Sequence, residues 1–359
     1  MGSLLRPPEL LAARERFGRG EITAEQLAEV EDAAIRAAVQ MQESLGLRSA
    51  TDGEFRRSSW HMDFIYQLGG IAKTEGQIAV AFRNENETLS FTPSGLAVDG
   101  PVHLDHPIFA DAFVSLASMV TTATPKLTIP SPSMVHYRGG RAAIDPEVYP
   151  DLDAFWSDLS AAYRGEIAAI GDLGCTYLQL DDTSLAYLND PEQRAYIATQ
   201  GGDPDHQHET YIKVINDAIA GRPENMSITT HMCRGNFRSS WAAEGGYDFV
   251  AEALFGGLDV DGFFLEFDDA RSGGFEPLRF VPETKRVVLG LVTTKRGELE
   301  HKDDLKRRID EASRYVALDQ LCLSPQCGFS STVEGNQLSY DDQVAKLALV
   351  VETAQEVWG

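Results

Sequence analysis

The spacing of apolar residues changes repeatedly along the chain, and the changes outline a fold. Between Thr23 and Gly46, the residues Leu27, Val30, Ala34, Ala38, Met41 and Leu45 recur at intervals of three and four, one face of a helix. Thr23 followed three residues later by Gln26 has the pattern of a capping box, and Gly46 supplies a stop. Short strand-like runs then alternate with further helical patterns. The runs are RSATDGE (48–54), PKLTIPSP (125–132), TYLQLDD (176–182), MSITTHMC (226–233), DGFFLEFD (261–268), RVVLGLVTT (286–294) and DQLCLSPQCG (319–328). Helices are expected over 151–170 and near 208–220, 240–256 and 302–315. A last helix begins at the cap Ser339 and carries an apolar stripe of Val344, Leu347, Val351, Ala354 and Trp358.

Seven strands are counted this way, and a short one at Met1–Leu5 makes eight. Eight β/α units predict an α/β TIM (β/α)8 barrel. A doubly wound open sheet is the alternative, but no GxGxxG follows an early strand. Region 60–120 breaks the rhythm, and its AVAFRNENETLSFTP (79–93) reads as a hairpin. We therefore expect a single domain over 1–359, with 60–120 an insertion after the second strand that lies over the barrel mouth.

Apolar residues make up 43% of the chain, enough for a large core and too many for a disordered chain. The formal charge of −24 argues against partners that are themselves anionic, nucleic acid and lipid surfaces among them. No apolar run approaches the roughly 18–20 residues that span a bilayer, and the N-terminus lacks a signal-peptide core. A cytoplasmic protein is the expectation, and its four cysteines are then thiols or metal ligands.

The strand ends carry the chemistry. TDGE, LQLDD, THMC, FFLEFDD and SPQC close five of the runs, and in a barrel the carboxyl ends of the strands converge on one cavity. His231 and Cys233 lie two apart on a strand and point to one face. A thiolate beside an imidazole suits Zn²⁺, with Cys327 as a second thiolate and Glu266 as an oxygen donor. An isolated H-x-C pair is ordinarily a buried histidine and a small apolar cysteine. The company of Cys327 and Glu266 at other strand ends favours the metal. Cys175 and Cys322, within apolar runs, read as core.

DGEFRR (52–57), LQLDD (178–182), HMC (231–233), FFLE (263–266) and SPQCG (324–328), in this order, resemble the catalytic domain of cobalamin-independent methionine synthase. The resemblance runs from GSLLRP (2–7) to the final helix. It implies a TIM barrel in which His231, Cys233, Glu266 and Cys327 bind zinc. It further implies that Glu54 and Asp181 bind homocysteine and that Ser3 contacts its carboxylate. The family's proton-donating histidine after the seventh strand has no counterpart, and Lys295 falls near that position. The family's pterin-stacking tryptophan is also missing from IPSPSMVHYRGG (129–140), where His136 or Tyr137 is the substitute.

The reaction so implied is methyl transfer to the thiol of homocysteine, giving methionine, from a methyl-tetrahydrofolate or a methyl-corrinoid. Two alternatives stay open: a zinc-dependent alkyltransferase joining a coenzyme M-type thiol to an epoxide, and a zinc- or thiol-binding barrel without turnover. Arg56, Arg57, Arg234 and Arg238 near strand ends are either anion contacts or solvated partners of the many acids. Trp60, His61 and Asp63 are either pocket mouth or insertion base. His206 and His208 are expected to be solvated, and Asp182, Asp268 and Asp269 to support neighbouring groups or cap helices.

Overall fold

The computed structural model of the chain describes residues 2–76, 79–84, 87–92 and 94–359. Met1 of the expected first strand, and Glu85, Asn86 and Pro93 of the expected hairpin, lie outside the described residues.

A parallel sheet of six strands forms the frame: Leu127–Pro130, Tyr177–Asp182, Ser227–Met232, Gly262–Glu266, Arg286–Val292 and Leu321–Pro325. They lie side by side in the order in which they occur along the chain, every pair parallel. A doubly wound sheet reverses its strand order at a switch point, and these six strands have no reversal. Their near-continuous burial follows from helices packing on the outer face, the usual situation of parallel strands. Ser49–Ala50 pairs in parallel with Thr124–Pro125, and Ser3 forms a parallel bridge with Gly53. The Phe329 N–H donates to the Ser3 carbonyl at 3.0 Å, so the amino-terminal segment lies between Gly53 and the loop that follows the last strand.

The outer helices are Ala24–Ser44, Leu152–Asp172, Gln207–Ile219, Lys302–Ala312 and Tyr340–Trp358, close to the expected spans. The Thr23–Gln26 capping box and the Ser339 cap both form. Helices Pro8–Gly18, Ala110–Met119 and Pro191–Thr199, and the short Met62–Ile65 and Ser184–Tyr187, carry no expectation from the sequence. The helix expected over 240–256 is confined to Ala251–Gly257. Gly245 takes φ +108°, open to glycine alone, and its carbonyl accepts a 3.0 Å bond from the Arg234 Nε–H, so this stretch serves the site rather than a helix.

Between Ser49–Ala50 and Thr124–Pro125 the chain forms two antiparallel pairs. Gly69–Thr74 pairs with Gly95–His103, and Val80–Arg83 pairs with Thr88–Phe91. The second pair is the hairpin that the sequence suggested. It is tied to the body by reciprocal backbone bonds between Arg83 and Trp241, and by Phe82 and Phe91 packed on Phe237.

Candidate metal and substrate site

Four side chains from three strand ends of the sheet meet at one point, Cys327 reaching past the intervening strand Arg286–Val292. His231 stands near the end of Ser227–Met232, and Cys233 follows it. Glu266 ends Gly262–Glu266, and Cys327 lies two residues past Leu321–Pro325. The register explains the meeting. His231 is level with Phe264 on one side and Asp181 on the other, and the Cys233 N–H continues the ladder to the Asp182 carbonyl at 2.8 Å. Cys327 is set by Gln326, whose N–H donates to the Val292 carbonyl and whose Oε1 accepts from both Thr294 donors.

One ligand atom from each of His231, Cys233, Glu266 and Cys327 lies within 4.8 Å of the others, and all four residues are buried. The two sulfurs are 3.5 Å apart and both thiols are free. His231 Nε2 and Glu266 Oε2 are buried without a hydrogen-bond partner. A buried polar atom without a partner is costly, and here two of them face two thiols. Two sulfurs, an imidazole nitrogen and a carboxylate oxygen form the donor set of a tetrahedral zinc site, so the residues fit that ion.

The electrostatics of the cluster agree with that fit. Cys327, hydrogen-bonded to Cys233 and close to His231, has its thiol held well below the ordinary cysteine range. Cys233, sharing that bond, is pushed well above it. Burial opposes charge on His231, but the nearness of Cys327 and of the acids Asp181 and Glu266 outweighs it and raises its pKa. Burial raises Glu266 against the pull of Arg271, Lys295 and Arg234.

Glu266 is held from behind. Its N–H donates to the Tyr247 hydroxyl at 2.9 Å, and Arg234 donates to its carbonyl at 3.0 Å. Arg234 is 1% exposed, its guanidinium 4.3 Å above the Tyr247 ring. Such supports fix ligand orientation. Arg234 is thus buried and paired with an acid, 3.9 Å from Glu266 Oε2, whereas Arg56 turns away to ion-pair with Glu31 and Asp32.

A cavity of about 350 Å³ opens onto the cluster, lined by His231, Cys233 and Cys327 together with Ser3, Glu54 and Asp181. Glu54 sits at φ +59°, a strained conformation for a residue with a side chain. It is held by Asp52 Oδ1 on its N–H and by the Thr128 hydroxyl on Oε1, while Arg57 anchors Thr128. Gly2 is required beside it, because a Cβ there would lie 2.2 Å from Glu54 Oε1. Gly328 is required likewise, since a Cβ would meet Ser3 Oγ at 2.0 Å. Burial pushes Glu54 up to about 7, with Arg57 opposing and Asp181 adding to the rise. Burial raises Asp181 as well, against His231, Gln179 and Lys126. Two desolvated carboxylates in one cavity make a receptor for a ligand cation.

Lys295 is not brought to this cavity. Its ammonium lies 2.5 Å from Asp268 Oδ2, and Lys295 is not among the lining residues. Arg271 and Lys295 instead close around Asp268 behind Glu266. His136 and Tyr137 are also outside the lining. His136 Nδ1 is 3.0 Å from the Tyr211 hydroxyl, and the Tyr137 hydroxyl donates to Gln193.

Asp182 accepts from Ser133, Ser184 and the Leu185 N–H, and Asp269 caps Arg271, as supporting roles require. His206 is exposed beside Glu209, whereas His208 is buried against Phe249 rather than solvated. Cys175 is buried and Cys322 half-buried.

Trp60, His61 and Asp63 all line the cavity. So do Arg138, Tyr187, Asn236 and Ser331, and the aromatic trio Phe82, Phe91 and Phe237, none of which the sequence singled out. They come from loops and the hairpin, where no periodicity marks a side chain's direction. A lone signal was present for Asn236 and Phe237, which closely follow Cys233.

The family described as cobalamin-independent synthase, catalytic domain, matches residues 1–356. The uncharacterized protein YxjG of Bacillus subtilis (strain 168) is 49% identical, the match covering 100% of this chain and 93% of that protein. A methionine synthase of Pyrococcus abyssi is 25% identical over 91% of this chain and 84% of its own length. Among solved structures, a candidate vitamin-B12-independent methionine synthase from Listeria monocytogenes superposes with a TM-score of 0.78 at 38% identity, covering 100% of this chain and 96% of that one. With the strand-end cluster and these relatives in hand, the chain belongs to the cobalamin-independent synthase catalytic-domain family.

Proposed function

We propose that the chain is a zinc-dependent thiol methyltransferase that converts homocysteine to methionine. The observation that carries this is the placement, in one cavity, of a buried two-sulfur, one-nitrogen, one-oxygen cluster and two desolvated carboxylates. Relatives named methionine synthase support the same direction. The architecture that goes with it is an eight-stranded barrel, the six-stranded sheet being completed by the Ser49–Ala50 segment and the amino-terminal segment at Ser3. The whole of 1–359 then acts as one catalytic domain working in the cytoplasm, and the segment inserted at 60–120 covers the barrel mouth.

His231, Cys233, Glu266 and Cys327 would hold the zinc. Zinc bound there supplies a thiolate from a substrate thiol whose free pKa is about 8.5, the thiolate being the nucleophile. Glu54 and Asp181 bind the substrate ammonium, and Ser3 its carboxylate. Three fixed contacts on a short amino acid leave the sulfur only one reach, toward His231 and the two cysteines, which is the positioning contribution to rate. Binding an ammonium also relieves Glu54 and Asp181 of the desolvation that raises their pKa values. Methyl-folate and methyl-corrinoid remain the donors to be compared.

The test is zinc content of wild type and Cys327→Ala, with methionine formation from homocysteine and either methyl-tetrahydrofolate or methylcobalamin assayed on the same samples. Near-stoichiometric zinc lost in the variant, together with methionine from either donor, is the expected result. Zinc with no methionine would transfer the proposal to another acceptor thiol or electrophile, and wild type without zinc would end it.

A further inference from the structure

The catalytic reading accounts for the Glu54–Asp181 end of the cavity and leaves Arg138 unexplained. Arg138 lines the cavity, and among the described residues it forms no ion pair, in a chain of net charge −24. Its Nε is buried without a hydrogen-bond partner. Of the lining acids, Glu54 and Asp181 belong to the other end of the cavity and Glu334 is exposed. Asp63 accepts from the N–H groups of Ser58 and Ser59, and Asp182 from Ser133, Ser184 and the Leu185 N–H.

His61 repeats the pattern. It is 8% exposed, lines the same cavity, and its Nε2 is buried with no partner. Ser59 Oγ accepts from the Met62 N–H at 3.2 Å and lies 3.2 Å from His61 Nδ1. In the tautomer that accepts the serine proton at Nδ1, the ring hydrogen sits on Nε2, a donor without an acceptor. The ring stays neutral, since burial and the charge of Arg138 push its pKa down to about 3. A second cation, Lys73, is exposed among the lining residues. Phe82, Phe91 and Phe237 supply an apolar wall to the same space.

We propose that Arg138, with His61, forms a subsite for an anionic oxygen group of the second substrate, carried on an apolar body that packs against the Phe82–Phe91–Phe237 wall. The proposal rests on the reading of the Glu54–Asp181 end as the seat of the amino-acid thiol. A guanidinium that carries no ion pair among the described residues, hydrogen-bonded to the Tyr187 hydroxyl but with its Nε unpartnered, and a neutral N–H beside it match a carboxylate, sulfonate or phosphate oxygen. A uniformly apolar donor would leave both donors buried and unpaired.

The experiment uses the zinc-loaded enzyme saturated with homocysteine. Naphthoate is titrated calorimetrically beside naphthamide, which has the same body without the charge. Naphthoate is expected to bind about 10–100-fold more tightly, the range of a hydrogen bond to a charged group. Arg138→Met is expected to abolish that preference and Arg138→Lys to keep part of it, with zinc content and homocysteine affinity unchanged. His61→Phe should lower naphthoate affinity several-fold and leave naphthamide as it was. A merely structural Arg138 would move both probes alike. Equal binding of acid and amide, no binding of naphthoate, a preference that survives Arg138→Met, or displacement of naphthoate by homocysteine would each overturn the subsite. An acid preference lost in Arg138→Met in protein that lacks zinc or fails to bind homocysteine would instead keep the subsite and sink the methyltransferase reading.

Discussion

The two ends of the cavity are built by different means. At the inner end His231, Cys233, Glu266, Cys327 and Asp181 sit on or just past strand ends of a parallel sheet, fixed by ladder register and by buried supports such as Tyr247 and Arg234. At the outer end Phe82, Phe91, Phe237, Trp60, His61 and Arg138 come from the hairpin and from loops, and the hairpin reaches the body through a backbone bridge, a small aromatic cluster, an Arg83–Glu192 ion pair and an Asn84–Ser240 hydrogen bond. Rigid strands hold groups whose geometry must not vary, and loops hold groups that choose a partner. In the proposed function the inner end would set the chemistry, and the outer end would set which second substrate takes part.

The comparison is broken most severely by removing a sulfur. Cys327→Ala is expected to lose zinc and to lower turnover by about a thousandfold or more, while near-native circular dichroism shows that the frame survives. Next comes Glu54→Gln, expected to lower kcat/KM for homocysteine about 10–100-fold through loss of a charge-assisted contact.

The same variant is expected to raise stability above neutral pH. Glu54 titrates at about 7 in the folded chain and near the ordinary glutamate value when unfolded. The folded state therefore binds more protons between those values, and stability falls as pH rises through that window, the loss then persisting above it. Thermal melts at about pH 8 should show Glu54→Gln melting above wild type by a few degrees. Homocysteine capture should weaken as pH falls below about 7, where the carboxylate protonates, and the variant should lack that limb.

Tyr247→Phe removes the hydroxyl that accepts from the Glu266 N–H, and a chelator competition should show zinc affinity reduced about 10–100-fold. The smallest effect is expected at the outer end. Phe82→Ala should leave zinc and homocysteine affinity alone and raise KM for the methyl donor several-fold, read in steady-state kinetics. An equal fall in zinc affinity would show that the two ends are not separable.

The inner end was legible in the sequence because strand geometry converts spacing into direction. His231-x-Cys233 shares a face by alternation alone, and Glu266 and Cys327 stand at the ends of apolar runs that only parallel strands explain. Glu54 and Asp181 were named by resemblance, and the structure lines the cavity with both. The outer end was not legible. Arg138 lies in an irregular stretch where side-chain direction depends on the path of the loop, Tyr187 ends a four-residue helix too short to show a period, and Phe82 meets Phe237 across 155 residues of sequence (237 less 82). The 240–256 helix failed for a related reason: Gly245 and Gly246 break the chain where Arg234 needs a carbonyl. Lys295 was placed correctly at a strand end, but its charge answers Asp268.

The most direct measurement of the inner end is zinc K-edge X-ray absorption on the wild-type protein, without and with homocysteine. Two sulfur donors with nitrogen and oxygen, becoming three sulfurs when homocysteine is added, is the outcome expected of Cys233, Cys327, His231 and Glu266 acting on a thiol substrate. An unchanged first shell in the presence of saturating homocysteine would contradict thiol activation at this site.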